Sequence, residues 1–494
     1  MSKNTTSRSS FITLISVFFF WGFVAASNDI LIPVFKEKLN LEQWQSQMIS
    51  FAFYIAYTVG SFIYFTVSAI GGDVLNRIGY KNGISLGLCI SAIGTMLFYP
   101  AAQLASFPLM ITGLFVVGLG FSLQQIAANP LVIVCGDPKK GAQRLSLAGG
   151  INNIGTTIGP VVVNLAIFGS VVLSGAKLDS IQSVKTPYLI LGAAFLIVAV
   201  LFRFSSLPNK IDPDPAPVNE IADNSASNRI SEKSLFSHPQ LWMGMIAIFL
   251  YVGVEVSTAS NLPEFMRQHI GLKTNEIAPY VSLYWASLMI GRWTASAGAL
   301  GLKSSMSQVF RFLMPYLAFG VFLLVNKIAN HDLTPFYVYA FVIIAVIIAD
   351  ILSKGNPARQ LMLFSSLGIL ALLIGICTDG KLSVYAFISV GLFCSTLWPC
   401  IFTLAIAGLG KNTNKASSFL IMMIMGGGVI SLLQGWLAGE HRLGIQMSYF
   451  VGVVCFLYLA FYGWKVKNLL KSQGIDYDAS IENKALVADE VLGE

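Results

Sequence analysis

One hydrophobic stretch near the start of the chain carries a carboxylate where a charge is costly. In residues 21–33, Trp21 and Asn28 fall on one helical stripe, and Asp29 lies beside it. A carboxylate near the centre of a bilayer costs about 2.5–3.5 kcal/mol on insertion scales, so we expect it to face a polar cavity. A ring beside an amide and a carboxylate suits a sugar, because rings stack on C–H groups and polar groups pair with hydroxyls. The alternative is that Asp29 reaches the membrane surface near Lys36.

A second stripe of this kind lies in the second half of the chain. Tyr251 and Glu255 share one helical face, which predicts another aromatic and carboxylate set for the same ligand. The alternative is a structural ion pair between Glu255 and Arg292, since charges inside a membrane often pair. Further candidate stacking rings are Tyr284, Trp285 and Trp398.

Two other hydrophobic stretches contain amide side chains, namely Gln124, Gln125, Asn129, Asn152 and Asn153. Gln125 and Asn129 are one turn apart on one helical face. Such amides bind hydroxyl groups or bond neighbouring helices. Because unpaired polar groups are costly at this depth, we expect these amides to contribute to the ligand site.

The loop 71-GGDVLNRIGYKNG-83 predicts a gate. Gly72 permits a tight turn, and Arg77 and Lys81 can pair with carboxylates or with the carbonyl ends of helices. We expect these residues, with Arg292, to form a latch that breaks when two halves of the protein rock. A plain membrane-surface anchor would have the same composition.

The composition sets where these residues must be held. Of 494 residues, 55% are apolar and 11% are charged, whereas a soluble protein carries about 25% charged residues. A barrel of alternating strands is excluded because 11-FITLISVFFFWGFVAA-26 is apolar on every face. The sequence therefore predicts an all-α polytopic membrane protein. The net charge of +7 comes from lysines and arginines in short loops, so we expect the lipid bilayer and no nucleic acid as partner.

Hydropathy predicts fourteen transmembrane helices. The apolar stretches lie near 11–33, 47–70, 83–103, 108–136, 145–172, 187–206, 241–262, 276–301, 309–328, 336–353, 360–377, 382–408, 416–438 and 445–466. The polar linker 207–238 separates a first bundle, 1–206, from a second, 239–466, and a tail follows at 467–494. The similarity of 117-VGLGFS-122 to 390-VGLFCS-395 indicates repeated six-helix bundles, with an inserted two-helix hairpin at 302–359. Asp350 is expected to be a solvated charge at the end of that hairpin.

Charge asymmetry between the loops places the linker and both termini in the cytoplasm. The first helix has no cleavage site after it, so we expect it to be retained. The location predicted is the bacterial inner (plasma) membrane. We expect a monomer.

Other chemistry finds little support in the sequence. The six cysteines show no CxxC motif, and the four histidines lie outside the apolar stretches. We therefore expect no metal, no cofactor and no membrane-embedded enzyme.

Several ordered segments resemble the fucose–hexose permease branch of the major facilitator superfamily. They are 20-FWGFVAASNDILIP-33, 72-GDVLNRIGYKNG-83, 124-QQIAANP-130, 144-RLSLAGGINNIGTTIGP-160, 249-FLYVGVEVS-257, 284-YWASLMIGR-292 and 409-LGKNTNKAS-417. The resemblance implies two six-helix bundles that alternate access to one central sugar site.

The resemblance also implies roles for single residues. Asp29 matches an aspartate linked to sugar binding and proton coupling in fucose permeases, whereas Gln125 stands where those proteins have a glutamate. This departure is similar to the glucose/galactose transporters of the branch, for which sodium coupling has been proposed. Asn152 matches a polar position, but Gly149 replaces a family glutamine.

The expected function is import of a neutral hexose, glucose or galactose, coupled to Na⁺ or H⁺ through Asp29 and Asn28. The alternatives are a proton symporter for fucose or an amino sugar, and a drug efflux antiporter. The amides favour a hydroxylated ligand over the broad apolar pocket that drugs require.

Overall fold

The computed structural model describes residues 12–24, 43–135, 140–168, 185–205, 237–272, 274–300, 304–439 and 441–478. Regular structure in these ranges is helical. In the first half the helices are α1 (Ile12–Val24), α2 (Gln43–Gly71), α3 (Val74–Ile78), α4 (Tyr80–Met96), α5 (Phe98–Gln103), α6 (Phe107–Val134), α7 (Gly141–Phe168) and α8 (Lys185–Phe204).

The second half contains eleven α-helices in its described residues. They are α9 (Pro239–Phe265), α10 (Thr274–Ser296), α11 (Ser304–Ile328), α12 (Tyr339–Ser353), α13 (Pro357–Cys377), α14 (Gly380–Cys394), α15 (Leu397–Ile406), α16 (Thr413–Met422), α17 (Gly426–Leu437), α18 (Gly444–Ser448) and α19 (Phe450–Ser472). Wherever a predicted apolar stretch lies in the described ranges, it is largely helical. In those ranges ten helices are long and apolar enough to cross a membrane, and two shorter apolar helices span Ile12–Val24 and Tyr188–Phe204.

The first bundle is held together by close packing of α6 on α4 and α2, and of α4 on α8. Small residues allow this approach: a Cβ atom added to Gly120 would lie 2.2 Å from Ser91 Oγ and 2.5 Å from the carbonyl oxygen of Gly87. Lipid tails give helices no hydrophobic reason to associate, so close contact between small residues supplies much of the attraction.

The second bundle repeats this arrangement. Helix α13 packs on α14 and α19, as α4 packs on α6 and α8 in the first bundle. Helix α10 packs on α14, as α2 packs on α6. Helix α13 is capped by Asn356, whose side chain accepts hydrogen bonds from the backbone amides of Ala358 and Arg359, and Pro357 is the first residue of the helix. The helices α14 and α15 are separated by a break at Ser395 and Thr396.

Helices α11 and α12 lie on the outside of the second bundle, where α11 packs on α10 and α12 packs on α13. Asp350 on α12 is only 5% exposed, and its carboxylate lies 2.9 Å from Arg311 of α11. It also accepts a hydrogen bond of 3.1 Å from Gln360 of α13. The expectation of a solvated Asp350 is therefore wrong: burial makes the charge costly, and the neighbouring helices supply its partners.

Asp350→Ala is expected to lower the thermal stability of the detergent-solubilised protein. The variant leaves Arg311 and Gln360 unpaired, and breaking a buried ion pair costs about 3 kcal/mol where one partner keeps some exposure. The exposed Asp332, in the loop between α11 and α12, is the matched control, and Asp332→Ala should melt close to the wild type. Equal melting temperatures for the two variants would contradict a structural role for the pair.

The chain after α19 folds back onto the bundle. Asp478 lies 2.8 Å from Lys467 and 3.0 Å from Arg359, and accepts a hydrogen bond of 2.6 Å from Asn356. Burial alone would raise the pKa of the Asp478 carboxyl, but the bonds from Lys467 and Asn356 outweigh it and hold that pKa below its usual value. The contact therefore stabilises the folded protein fully at pH values above the unfolded-state pKa of about 4. This stabilisation is lost as the pH falls through the lower pKa that Asp478 has in the folded protein.

The two bundles meet at one end of the helices, which we call the basic end and define by the loop 72–79 and the N-terminus of α7. There α7 packs on α10, and α16 packs on α2 and α6. The contacts continue to mid-depth, where Thr58 donates a hydrogen bond of 3.2 Å to the carbonyl oxygen of Met422. Phe65 and Phe419 lie between these levels, with ring centroids 4.6 Å apart.

Candidate functional site

In the first bundle, a hydrogen-bonded chain fixes the aromatic ring of α1. The indole N–H of Trp21 donates to Gln124 Oε1 at 2.7 Å, and Gln124 Nε2 donates to Ser91 Oγ at 3.1 Å. Trp21 is 5% exposed and Gln124 is fully buried. Both polar groups of the Gln124 amide are thus used inside the bundle, and the Trp21 ring is packed against Phe18 at a centroid distance of 4.4 Å.

Gln125, the next residue, points in a different direction and is half-buried. Its Nε2 donates to the hydroxyl of Tyr57 on α2 at 3.1 Å. Its Oε1 has no hydrogen-bond partner among the described residues and is not among their buried unpaired atoms. Gln125 can therefore offer an acceptor to a ligand hydroxyl while Tyr57 holds the amide in place.

Asn152 and Asn129 differ in their surroundings. Asn152 is half-buried, and its Nδ2 donates to the carbonyl oxygen of Phe18 at 2.9 Å, which ties α7 to α1. Asn129 is buried, and its Nδ2 is a buried donor without a partner in the described chain. A buried unpaired donor is unusual and marks a place where a water molecule or a rearrangement can supply a partner.

In the second bundle, the polar groups gather around Glu255 near the middle of α9. The hydroxyl of Tyr251 donates to the Glu255 carboxylate, and the hydroxyl of Tyr284 donates to the Glu255 carbonyl oxygen at 2.7 Å. Tyr251 and Trp398 have ring centroids 6.2 Å apart. Glu255 and Trp398 are half-buried, whereas Tyr284 is fully buried and its neighbour Trp285 is 37% exposed.

Arg292 joins the two bundles. Its Nη1 donates to Asn153 Oδ1 at 2.6 Å and to the carbonyl oxygen of Gly149 at 3.4 Å, both on α7. Its Nε donates to the carbonyl oxygen of Ser395 at 3.1 Å, within its own bundle. Asn153 Nδ2 also reaches the carbonyl oxygen of Trp285 at 3.5 Å. The alternative that the sequence left open for Glu255, an ion pair with Arg292, is not formed in this conformation.

The sequence-predicted residues fall into three groups. The half-buried ones are Gln125, Asn152, Glu255, Arg292 and Trp398, and the buried ones are Trp21, Gln124, Asn129, Asn153 and Tyr284. Asn28 and Asp29 lie outside the described residues. Sequence reasoning missed Tyr57 and Ser91, which position Gln125 and Gln124. Neither gives a distinctive local signal, because α2 and α4 carry several other hydroxyl side chains, such as Thr58 and Ser85. Among the described residues, no group of three or more His, Cys, Asp or Glu could hold a metal ion.

The gate at the basic end is built on Asn414 of α16, which sequence reasoning also missed. Its Nδ2 donates to Asp73 Oδ1 and to Asn76 Oδ1, each at 3.2 Å, and its Oδ1 accepts a hydrogen bond from Tyr80. Nearby, Ser417 donates to the carbonyl oxygen of Ile126 at 3.1 Å.

The expected gating residues of the first bundle bond within that bundle. Arg77 donates to the carbonyl oxygen of Gly71, and Lys81 donates to that of Ser205 at 2.9 Å. Gly72 adopts a φ of 82°, a conformation that glycine tolerates and that the sharp turn requires. These residues shape the loop to which Asn414 binds.

Asn414→Ala is expected to open the basic end. The variant loses three bonds across the bundle interface, one of them to a carboxylate, which weakens the closed form by about 2–4 kcal/mol. Spin labels at the exposed positions Phe204 and Ser472, at the ends of α8 and α19, should report a longer distance in a larger share of molecules than in the labelled wild type. Asn412→Ala, two residues earlier, is the matched control and should keep the wild-type distribution. Identical distributions in both variants would contradict the gating role.

Comparisons with known proteins identify the family. A sequence profile described as the Major Facilitator Superfamily matches residues 9–356. The glucose/galactose transporter of Brucella abortus is 33% identical over 458 residues, which cover 91% of this chain and 92% of that protein. The L-fucose-proton symporter of Escherichia coli is 27% identical over 461 residues, which cover 90% of both.

Solved structures agree with the sequence comparison. The Major Facilitator Superfamily transporter FucP, crystallised in the outward conformation, has a TM-score of 0.69 at 25% identity, covering 92% of this chain and 98% of FucP. The proton:xylose symporter XylE has a TM-score of 0.59 at 12% identity, which shows a shared fold. With a profile that matches more than half of its length and a relative above 30% identity along most of both proteins, the chain belongs to the Major Facilitator Superfamily.

Proposed function

We propose that the protein is a secondary transporter that imports a neutral hexose, glucose or galactose, by alternating access. The observation that carries this proposal is the approach of polar side chains from both bundles within the apolar helices, joined on the side of the basic end by the Arg292–Asn153 hydrogen bond. Polar groups at this depth are costly unless they line a cavity or bind a ligand. The 33% identity to a glucose/galactose transporter supports a hexose, and a family of transporters supports transport over catalysis.

In this proposal the sugar binds between Gln125 and Asn152 of the first bundle and the rings near Glu255 of the second. Gln125 Oε1 accepts from a hydroxyl, and the exposed face of Trp285 or Trp398 packs on C–H groups of the sugar. Gln124 and Trp21 support the site without contacting the sugar: the buried Gln124 amide holds the indole of Trp21, and thereby α1, in position. Asp29 and Asn28 are proposed to complete the site from the same helix.

The basic end is proposed to face the cytoplasm, as does each terminus, in the inner membrane. The lysines and arginines that favour this orientation lie in the loops at that end. The conformation described is then the outward-facing one, because the bundles are bonded at the basic end. The match to FucP in its outward conformation supports this assignment.

We propose fourteen transmembrane helices, with α11 and α12 as an inserted hairpin. The helices α2, α4, α6 and α8 pack on one another in the same arrangement as α10, α13, α14 and α19. This repeat supports the count, because α11 and α12 then have no counterpart in the first bundle. A hairpin inserted at the basic end returns the chain to the same side and preserves the order of later helices. The unit that transports is proposed to be a monomer in the lipid bilayer.

The proposal is tested by uptake of labelled sugars into proteoliposomes that contain the full-length protein. We expect glucose or galactose to equilibrate faster than in protein-free liposomes and to accumulate under an imposed H⁺ or Na⁺ gradient. L-fucose and an amino sugar belong in the panel because one relative is named an L-fucose-proton symporter. A protein that moves no sugar in this panel, or that instead exports an amphipathic dye, is not a hexose importer.

A further inference from the structure

Glu255 and Arg292 lie on adjacent helices of the second bundle without pairing. Arg292 is close enough to act on Glu255 electrostatically, yet all three of its hydrogen bonds go to oxygen atoms elsewhere. Within the described chain, the carboxylate of Glu255 receives one hydrogen bond, from the uncharged Tyr251 hydroxyl, and has no basic group within 4.0 Å. An acid and a base that could pair are thus held apart in this conformation.

The helix directions aim these two side chains at each other. Helical side chains lean toward the N-terminus of their helix. Helix α9 begins at the basic end, so Glu255 leans toward that end, where Tyr251 contacts it. Helix α10 ends at the basic end, so Arg292 leans away from it and toward the level of Glu255. A guanidinium released from α7 is therefore directed toward the level of the carboxylate.

What holds Arg292 on α7 is the closed basic end. Its Nη1 bonds to Gly149 and Asn153 exist only while the two bundles touch there. Its Nε bond to Ser395 stays within the second bundle and can serve as a pivot. Opening the basic end therefore removes the hydrogen-bond partners of Arg292 Nη1. The positive charge of the guanidinium is then attracted to the carboxylate of Glu255.

We propose that Glu255 carries a co-transported proton and that Arg292 displaces this proton when the basic end opens. The inference rests on the proposed transport function and assigns its coupling ion. In the conformation described, a hydronium ion from the side opposite the basic end gives its proton to a Glu255 carboxylate oxygen and leaves as water, which neutralises a charge that has no basic partner. When Arg292 leaves α7 it pairs with the carboxylate, the O–H bond breaks, and the proton passes to water on the basic side.

The surroundings of Glu255 favour a proton over a metal cation. The ionisable groups that act on it or lie around it are Tyr251, Tyr284, Arg292 and Cys394. Helix α17 and the turn before it, residues 423–437, pack on α9 and carry no ionisable side chain. A hard cation needs several oxygen ligands. Here the Tyr251 hydroxyl donates to the Glu255 carboxylate and the Tyr284 hydroxyl donates to the Glu255 carbonyl oxygen. Both hydroxyls therefore point their hydrogen atoms at oxygen atoms that a cation would need as ligands.

The test is the ratio of internal to external labelled sugar at steady state, in proteoliposomes with a pH gradient of about one unit. With one proton per sugar, the wild type can accumulate sugar about tenfold, because one pH unit corresponds to ~1.4 kcal/mol. Glu255→Gln binds no proton, and Arg292→Gln cannot displace one, so both ratios should fall to about one. Glu255→Asp keeps a titratable group and should accumulate sugar again. The ratio does not depend on how fast a variant transports.

Glu264→Gln, near the end of α9, is the matched control: Glu264 is a half-buried acid that pairs with Arg267 at 2.6 Å and lies away from Arg292, and the variant should accumulate sugar like the wild type. Full accumulation by Glu255→Gln, or accumulation driven by a Na⁺ gradient in place of the pH gradient, would overturn the inference. If the wild type fails even to equilibrate sugar, the transport proposal itself is rejected.

A second measurement decides the matter if Glu255→Gln is too slow to equilibrate. Sugar added to purified protein in weak buffer at mildly alkaline pH should cause uptake of about one proton per wild-type molecule by linkage. Glu255→Asp should also take up a proton, and Glu255→Gln none. Equal proton uptake by the wild type and Glu255→Gln would overturn the inference.

Discussion

Gly150→Trp is expected to abolish sugar uptake while leaving the protein folded. Gly150 lies on α7 where the first bundle meets α10, and a Cβ atom there would be 2.5 Å from Trp293 Cδ1 and 2.8 Å from its Nε1. An indole has no space between the closed bundles, so the variant is confined to forms that are open at the basic end. A carrier that cannot close this end cannot present its empty site to the other side of the membrane, and proteoliposome uptake should fall to background.

A graded series separates a steric wedge from misfolding. Gly150→Ala adds a single carbon and should reduce uptake without abolishing it, since overpacking by small groups costs about 1–3 kcal/mol. Gly320→Trp is the matched control, because a Cβ atom at Gly320 on α11 meets nothing within 4 Å and an indole there extends into open space. Normal uptake by Gly150→Trp would show that the contact of α7 with α10 is not needed for transport.

Helical periodicity predicted those site contacts that lie within one helix. Tyr251 and Glu255 were placed on one face from their spacing, and the Tyr251 hydroxyl does bond the Glu255 carboxylate. This works because residues four apart in a helix are neighbours whatever the helix packs against. The fold class was predictable for a similar reason: long apolar stretches form helices because a bilayer leaves backbone groups no other partner.

Contacts between helices could not be read in this way. Gln124 and Gln125 are adjacent and equally polar, and only the packing of α6 between α2 and α4 directs one to Ser91 and the other to Tyr57. The gate shows the same limit. Charge drew attention to Arg77 and Lys81 in the loop 71–83, whereas the bonds that join this loop to the second bundle come from the neutral Asn414, which lies more than 300 residues further along the chain. Buried polar bonds between distant segments require no charge, so a search for charged residues does not find them.

The structure also distinguishes two acids that look alike in the sequence, because only one of them has a basic partner. Asp350 and Glu255 are both acids in apolar helices, but Asp350 has Arg311 at 2.9 Å and Glu255 has no basic group within 4.0 Å in the described chain. The first is held in a permanent structural pair on the outside of the second bundle. The second is free to exchange partners, which is what a coupling group requires.

Gln125→Ala is expected to raise the half-saturation concentration for sugar uptake about tenfold, because the variant loses one hydrogen bond to the sugar that is worth ~1.4 kcal/mol. Gln125 is the half-buried amide of α6 whose Oε1 is left without a protein partner in the described residues, while its Nε2 is held by Tyr57 at 3.1 Å. An acceptor fixed in this way loses little entropy when a hydroxyl binds, so its removal should weaken sugar binding and leave the folded protein intact. Initial rates of uptake over a range of sugar concentrations measure the effect.

Two controls identify the source of the change. Gln103→Ala removes an exposed glutamine at the far end of α5 and should leave the half-saturation concentration unaltered. Tyr57→Phe removes the group that positions Gln125 but keeps the amide, so its effect should be smaller than that of Gln125→Ala and in the same direction. If Gln125→Ala binds sugar like the wild type, the amide does not contact the ligand. If Tyr57→Phe is the more damaging of the two, Tyr57 itself is the ligand-binding group and the assignment of Oε1 is wrong.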